Sequence, residues 1–282
     1  MSSSISRSVE RLVFGRETSD GAGVKLTRVI GTNLHDRLDP FLMLDAFRSD
    51  EAADYIGGFP DHPHRGFETI TYLLRGRMRH RDNQGHEGLL QAGDLQWMLA
   101  GKGIIHSEMP EQEEGRMEGF QLWLNLPAAN KMDQPDYRDI PSHAFPVFET
   151  PEGHLIKVLI GRYEGLDGLV QRPITEPLLL DVHCAASNPI EISIPSTHTA
   201  CLYVYEGAVT VGETLIAEKQ LAILDQDPDT NSVKIESSQP SRILLIAGKP
   251  LHEPVVQYGP FVMNTQEEIQ AAVQDYQQGR FS

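Results

Sequence analysis

Two short sequence pairs, His62-Pro63-His64 and His106-Ser107-Glu108, constrain this chain more than any other feature. Each places two metal-ligating side chains two residues apart inside a run that reads as β. On a strand, residues i and i+2 point to the same face. His62 and His64 therefore aim at one point, and so do His106 and Glu108. If both strands line one barrel, the four groups converge on an ion.

The setting supports that reading over eleven unrelated histidines. Gly57-Gly58-Phe59-Pro60-Asp61 precedes the first pair as a turn-rich segment. Glu68-Thr69-Ile70-Thr71-Tyr72-Leu73-Leu74 follows as a β-branched, aromatic run that ends at Arg75-Gly76. The second pair comes after Gly93-Asp94-Leu95-Gln96-Trp97-Met98-Leu99-Ala100 and the Gly101-Lys102-Gly103 turn. Histidine fills many other roles. His80, His86 and His154 lie among polar and glycine neighbours, and the expectation for them is solvent.

With 24 glycines and 18 prolines in 282 residues and few helix-period stretches, the chain reads as all-β and turn-rich. No apolar run approaches the ~20 residues that span a bilayer. Met1-Ser2-Ser3-Ser4-Ile5-Ser6-Arg7 has no apolar core, so no secretory signal is expected. Cys184 and Cys201 form no C-x-x-C motif and read as buried free thiols in a reducing compartment, with the cytoplasm as the expected location. A formal net charge of −16 repels phosphate backbones, and no basic cluster offsets it. Direct nucleic-acid binding is excluded on that ground.

Asn130-Lys131-Met132-Asp133-Gln134-Pro135-Asp136-Tyr137 reads as a polar link. It divides the chain into residues 1–134, which carry the motifs, and residues 135–282. The second part holds strand-like runs at Leu155–Ile160, Leu178–His183, Ile190–Ile194, Ala200–Tyr205, Val209–Val211, Leu221–Leu224, Val233–Ile235 and Arg242–Ala247. Short turn signals separate them, as in a sandwich or barrel. Tyr72-Leu73-Leu74-Arg75-Gly76 and Tyr203-Val204-Tyr205-Glu206-Gly207 align as a weak internal repeat. At that offset His62, His64 and Glu68 fall on Ser193, Pro195 and Thr199, so the second barrel is expected to hold no metal. Ile269, Ala272, Val273 and Tyr276 form a helical stripe, with Asn264 or Thr265 as cap and Gly279 as the stop.

Gly58, His62, His64, Glu68 and Gly76 resemble the first cupin motif, and Gly93 through His106 the second. The match is closer still to the pirins, a two-cupin group. It is carried by Asp39-Pro40-Phe41-Leu42-Met43-Leu44-Asp45, Gly58 through Thr69, Gly103-Ile104-Ile105-His106-Ser107-Glu108-Met109-Pro110 and Gln121-Leu122-Trp123-Leu124-Asn125-Leu126-Pro127. Gly248-Lys249-Pro250-Leu251 and Glu253-Pro254 extend it. The resemblance implies two tandem cupin (jelly-roll-like) barrels with a short C-terminal helix lying against the first. It also implies metal ligands His62, His64, His106 and Glu108, where a general cupin would use Glu68. Glu68 is then left as a group that orients an imidazole.

Such a ligand set leaves an octahedral ion two open positions, which suits one divalent transition metal, Fe²⁺ first, with Mn²⁺, Co²⁺, Ni²⁺ and Zn²⁺ as alternatives. Pirins include enzymes that open quercetin by 2,3-dioxygenation with release of carbon monoxide. The expected partners are thus a small aromatic or enolic substrate and O₂, with Glu108 as plain ligand or as base for the substrate hydroxyl. Phe59, Phe67, Trp97, Phe120 and Trp123 are candidates for an apolar pocket or for ordinary core. Pirins also include metal-dependent regulatory proteins, for which Arg65 and the segment from Arg77 to Glu87 would supply a surface for a protein partner.

Overall fold

A computed structural model describes residues 5–281. The chain forms two compact units, and they interleave in sequence. Of the described residues, one contains 16–36, 41–143 and 251–281, and the other 5–15, 37–40 and 144–250. The single cut at residue 134 expected from the polar link therefore misses both the early excursions and the return of the C-terminal segment.

The motif-bearing unit is built from antiparallel strands. They are β1 (Arg16–Asp20), β2 (Val24–Ile30), β3 (Phe41–Ser49), β4 (Phe59–His64), β5 (Phe67–Arg75), β6 (Met78–Asp82), β7 (Glu87–Leu90), β8 (Leu95–Leu99), β9 (Ile104–Pro110), β10 (Met117–Asn125) and β11 (Asp136–Ile140). A seven-stranded sheet runs β11-β8-β5-β10-β3-β2-β1, and a four-stranded sheet runs β4-β9-β6-β7. Val24, Leu26, Phe47, Leu73, Met78, Leu90 and Met117 pack together as a buried cluster of this unit. β12 (Val256–Tyr258) and β13 (Phe261–Met263) pair as a late hairpin.

The helix Gln266–Gln277 follows and belongs to this same unit. Thr265 is its cap. Its hydroxyl accepts from the Glu268 amide at 3.2 Å, while the Glu268 carboxylate accepts from the Thr265 amide at 3.0 Å. Ile269 and Ala272 are its buried stripe and join Phe261, Met263 and Phe281 in a small core. A helix of 12 residues gains its order from that packing.

In the other unit the strand Val9–Phe14 opens a seven-stranded antiparallel sheet. It is followed in spatial order by Gln220–Leu224, Thr199–Glu206, Ser241–Gly248, Leu178–Cys184, Leu155–Ile160 and Val147–Glu149. All eight strands expected in this region are present to within a residue or so at their ends. Ile156, Val158, Leu180, Val182, Leu202, Val204, Ile243 and Leu245 fill its core. The repeat noted in the sequence has a structural counterpart: the strands Phe67–Arg75 and Thr199–Glu206 are each followed by a glycine with positive φ, Gly76 at 96° and Gly207 at 80°. Both cysteines are free and buried, and burial pushes each thiol up to about 12. Among the described residues no helix is long and apolar enough to cross a membrane.

Candidate metal centre

β4 and β9 are neighbours, and His62 stands directly across from His106 in their register. The i, i+2 geometry then brings His64 to the same place. The metal-binding atoms of His62, His64 and His106 all lie within 4.8 Å of one another. His62 Nε2 and His64 Nε2 are 3.0 Å apart with their rings nearly perpendicular, and the His106 ring is centred 4.4 and 4.9 Å from the other two.

Their hydrogen bonding fits a cation. His62 Nδ1–H donates to the Pro60 carbonyl at 2.8 Å, so a neutral ring turns its Nε2 lone pair toward the cluster. Among the described residues both ring nitrogens of His106 are buried without a protein partner, a costly state unless something at the centre engages one of them. Burial, reinforced by the neighbouring imidazoles, holds His64 and His106 well below the ordinary histidine range. They are neutral at pH 7, the form that binds metal.

That depression has a measurable consequence in the metal-free protein. Below about pH 6.5 the unfolded chain takes up protons that the folded state refuses. The stability contributed by these groups is therefore complete above that pH and lost as pH falls, by about 1.4 kcal/mol per pH unit for each imidazole. Urea midpoints should fall steeply from pH 6.5 to 5, with a shallower slope in His106→Asn. Equal slopes would contradict the assignment.

Glu108 stands outside the tight histidine group but lines the same cavity as His62 and His64. Its two oxygens accept from the Thr71 hydroxyl and the Gln121 amide, each at 2.9 Å. Trp123 Nε1–H donates to Gln121 Oε1 at 3.1 Å, which fixes the amide with its NH₂ toward Glu108. A carboxylate has roughly four acceptor positions, so two remain for a metal or a proton.

Glu68 goes elsewhere. Gly66 separates β4 from β5, with φ of 88° and the Val262 carbonyl only 2.0 Å from where a Cβ would stand. Past that break, alternation along β5 puts Glu68 on the face opposite Thr71, where it accepts from Trp97 Nε1–H at 2.8 Å. The sequence alone left its face open.

The loop that carries His64 is pinned on several sides. The Arg65 amide donates to the Pro260 carbonyl, and the Val262 amide to the Arg65 carbonyl. The Arg65 guanidinium donates to Asp275 at 2.7 Å and lies 4.4 Å from the centre of the Phe281 ring. It is almost fully buried, which removes it from the surface role considered above. Lys131 is buried as well, with its ammonium donating to Gly66 O, Asn125 Oδ1 and Val262 O at 2.8, 2.7 and 3.0 Å. Burial pulls it down to about 7. Lys131→Met leaves three buried acceptors without their donor and should cost about 2 kcal/mol or more in urea unfolding; an unchanged midpoint would show that these bonds hold nothing.

The cavity measures about 330 Å³, at the lower end of the ~300–1,000 Å³ typical of small-molecule sites. Leu26, Met43, Phe47, Phe59, Met78 and Trp123 give it apolar walls. Of the aromatic candidates, Phe59 and Trp123 line it, and Phe67 stacks behind Trp123 at 4.3 Å. Trp97 and Phe120 are buried on the sheet's other face. Two histidines expected in solvent are not there. His80 is buried between Tyr137 O–H, which donates to Nδ1 at 2.5 Å, and Asp139, which accepts from Nε2 at 2.8 Å. His154 is buried too, and its Nδ1 accepts from the Ala185 amide.

Residues 23–124 match the pirin family, and residues 179–282 match the pirin C-terminal cupin domain. A Pseudomonas aeruginosa protein named "Putative quercetin 2,3-dioxygenase PA3240" is 52% identical over 280 residues, with 97% of each chain covered. Pirin of Homo sapiens is 41% identical over 98% of this chain and 94% of its own. The crystal structure of quercetin 2,3-dioxygenase from Acinetobacter baumannii superposes with a TM-score of 0.91 at 30% identity, covering 99% of both chains. With two tandem cupin domains and matches across both, this chain belongs to the pirin family.

Proposed function

We propose that this protein is a metal-dependent dioxygenase that opens quercetin-like flavonols with O₂ and releases carbon monoxide. One divalent transition-metal ion, Fe²⁺ in our assignment, would be held by His62, His64 and His106, with Glu108 as the carboxylate donor. The observation that carries this reading is the convergence of three imidazoles beside a cavity that also presents an oriented carboxylate and apolar walls. A metal with open coordination positions supplies Lewis acidity and access to O₂. The names and structures of the relatives reported above support the same reaction class.

The protein's own groups divide the remaining work. Glu108 accepts the proton of the flavonol 3-hydroxyl at a carboxylate oxygen, and Thr71 and Gln121 keep that carboxylate from turning away. Met43, Phe47, Phe59 and Trp123 hold a flat ring system and exclude water from it. The Pro60 carbonyl and the pinned loop at Arg65 and Gly66 hold the imidazoles in place before substrate arrives.

The test is aerobic turnover of quercetin by protein loaded in turn with Fe²⁺, Mn²⁺, Co²⁺ and Ni²⁺. O₂ consumption matched by carbon monoxide, abolished by chelation, is the expected result. No carbon monoxide with any of the four would overturn the reading and favour a metal-dependent role without turnover.

A further inference from the structure

Thr71, Gln121, Asp45 and Arg28 lie side by side on four adjacent strands, β5, β10, β3 and β2. Thr71 is in register with Gln121, Gln121 with Asp45, and Asp45 with Arg28. Cross-strand partners share a face, and all four line the cavity. At about 4.8 Å per strand, this polar row spans roughly 14 Å at the backbone. One end touches Glu108, and the other is a charged cluster that the metal centre does not use.

Arg28 donates to Asp45 through Nε at 2.9 Å and Nη2 at 2.7 Å, and to Asp20 through Nη2 at 3.0 Å. Asp45 is only 3% exposed. Asp20 Oδ1 accepts from the Gly21 amide. Among the described residues Arg28 Nη1 makes no hydrogen bond. One guanidinium against two carboxylates leaves a local charge of −1, which repels a carboxylate or phosphate ligand. The same cluster offers fixed acceptors to hydroxyl protons and an open N–H donor to a hydroxyl oxygen. That combination suits a neutral ring bearing hydroxyls.

We infer that Arg28, Asp45 and Asp20 form the recognition end of the cavity and select flavonols by the hydroxyls on the pendant aryl ring. This rests on the flavonol reading above and goes beyond it, because it assigns specificity to residues remote from the metal. The two-ring core lies between Glu108 and the apolar walls, and the pendant ring reaches along the polar row to Arg28.

The experiment uses quercetin, kaempferol and galangin, which carry two, one and no hydroxyls on that ring. Anaerobic equilibrium binding to the metal-loaded protein is measured beside aerobic kinetics, for wild type, Arg28→Lys and Asp20→Asn. Asp20 is largely exposed, so the second variant tests charge without disturbing the core. Wild type should bind quercetin about tenfold more tightly than galangin, the effect of one or two hydrogen bonds to charged groups. The difference should appear in Kd and KM, with kcat little changed. Arg28→Lys should bring the ratio to within about threefold, and Asp20→Asn should reduce it while improving binding of anionic analogues. Equal binding of the three flavonols, or variants that weaken all three alike, would overturn the inference while carbon monoxide release still upheld the reaction. Discriminating binding without carbon monoxide would uphold the recognition end and overturn the reaction. No binding of any flavonol would overturn the inference, leaving the reaction to be judged on carbon monoxide.

Discussion

His106→Ala should leave the protein without its metal. Affinity should fall more than about 100-fold, because even groups that merely orient a ligand are worth ~10–100-fold. His106 faces His62 across the strand pair, and among the described residues neither of its ring nitrogens has a hydrogen-bond partner, so no second role masks the loss. Glu68→Gln is the control. It sits on the opposite sheet face against Trp97, so it should retain full metal occupancy. Metal retained in His106→Ala and lost in Glu68→Gln would place the centre elsewhere.

Glu108→Gln should retain metal at reduced affinity and lose turnover by about 10²–10⁴-fold, the usual worth of a positioned base. The amide keeps an oxygen for Thr71 but turns an N–H donor toward the Gln121 amide, which is itself a donor. Part of any loss could then be structural. Combining Glu108→Gln with Gln121→Glu restores a donor–acceptor pair and still satisfies Trp123. The double variant should recover the wild-type urea midpoint without recovering turnover. Recovery of both would make Glu108 a structural acceptor and move the base to position 121 or elsewhere.

How much of this was legible in the sequence depended on the range of the signal. His62, His64 and His106 could be found because an i, i+2 spacing fixes a shared face locally. The helix after Thr265 was legible for the same reason, since its cap and stripe are contained in a dozen residues. Glu68 was ambiguous because its face depends on whether the strand continues through Gly66, where the positive φ interrupts it and the Val262 carbonyl packs close. The row from Thr71 to Arg28 was invisible, since cross-strand register joins positions 50, 76 and 17 residues apart in the chain (Thr71 to Gln121, Gln121 to Asp45, Asp45 to Arg28) with no local pattern. His80 and His154 looked solvated from their polar neighbours, yet they are buried against Asp139 on β11 and Ala185 just past the strand Leu178–Cys184, both far along the chain from them. The interleaved units were missed for a related reason: Val9–Phe14 pairs with Gln220–Leu224, far along the chain.

The most direct test of the metal centre is elemental analysis of chelator-treated protein reconstituted with rising Fe²⁺ under anaerobic conditions. Among the described residues the tight donor group is that of His62, His64 and His106. The positions corresponding to the first pair and Glu68 in the other unit are Ser193, Pro195 and Thr199, which offer no imidazole or carboxylate. Occupancy should plateau at one ion per chain in wild type and near zero when His62, His64 and His106 are all replaced by alanine. A plateau at two, or retained metal in the triple variant, would contradict the account.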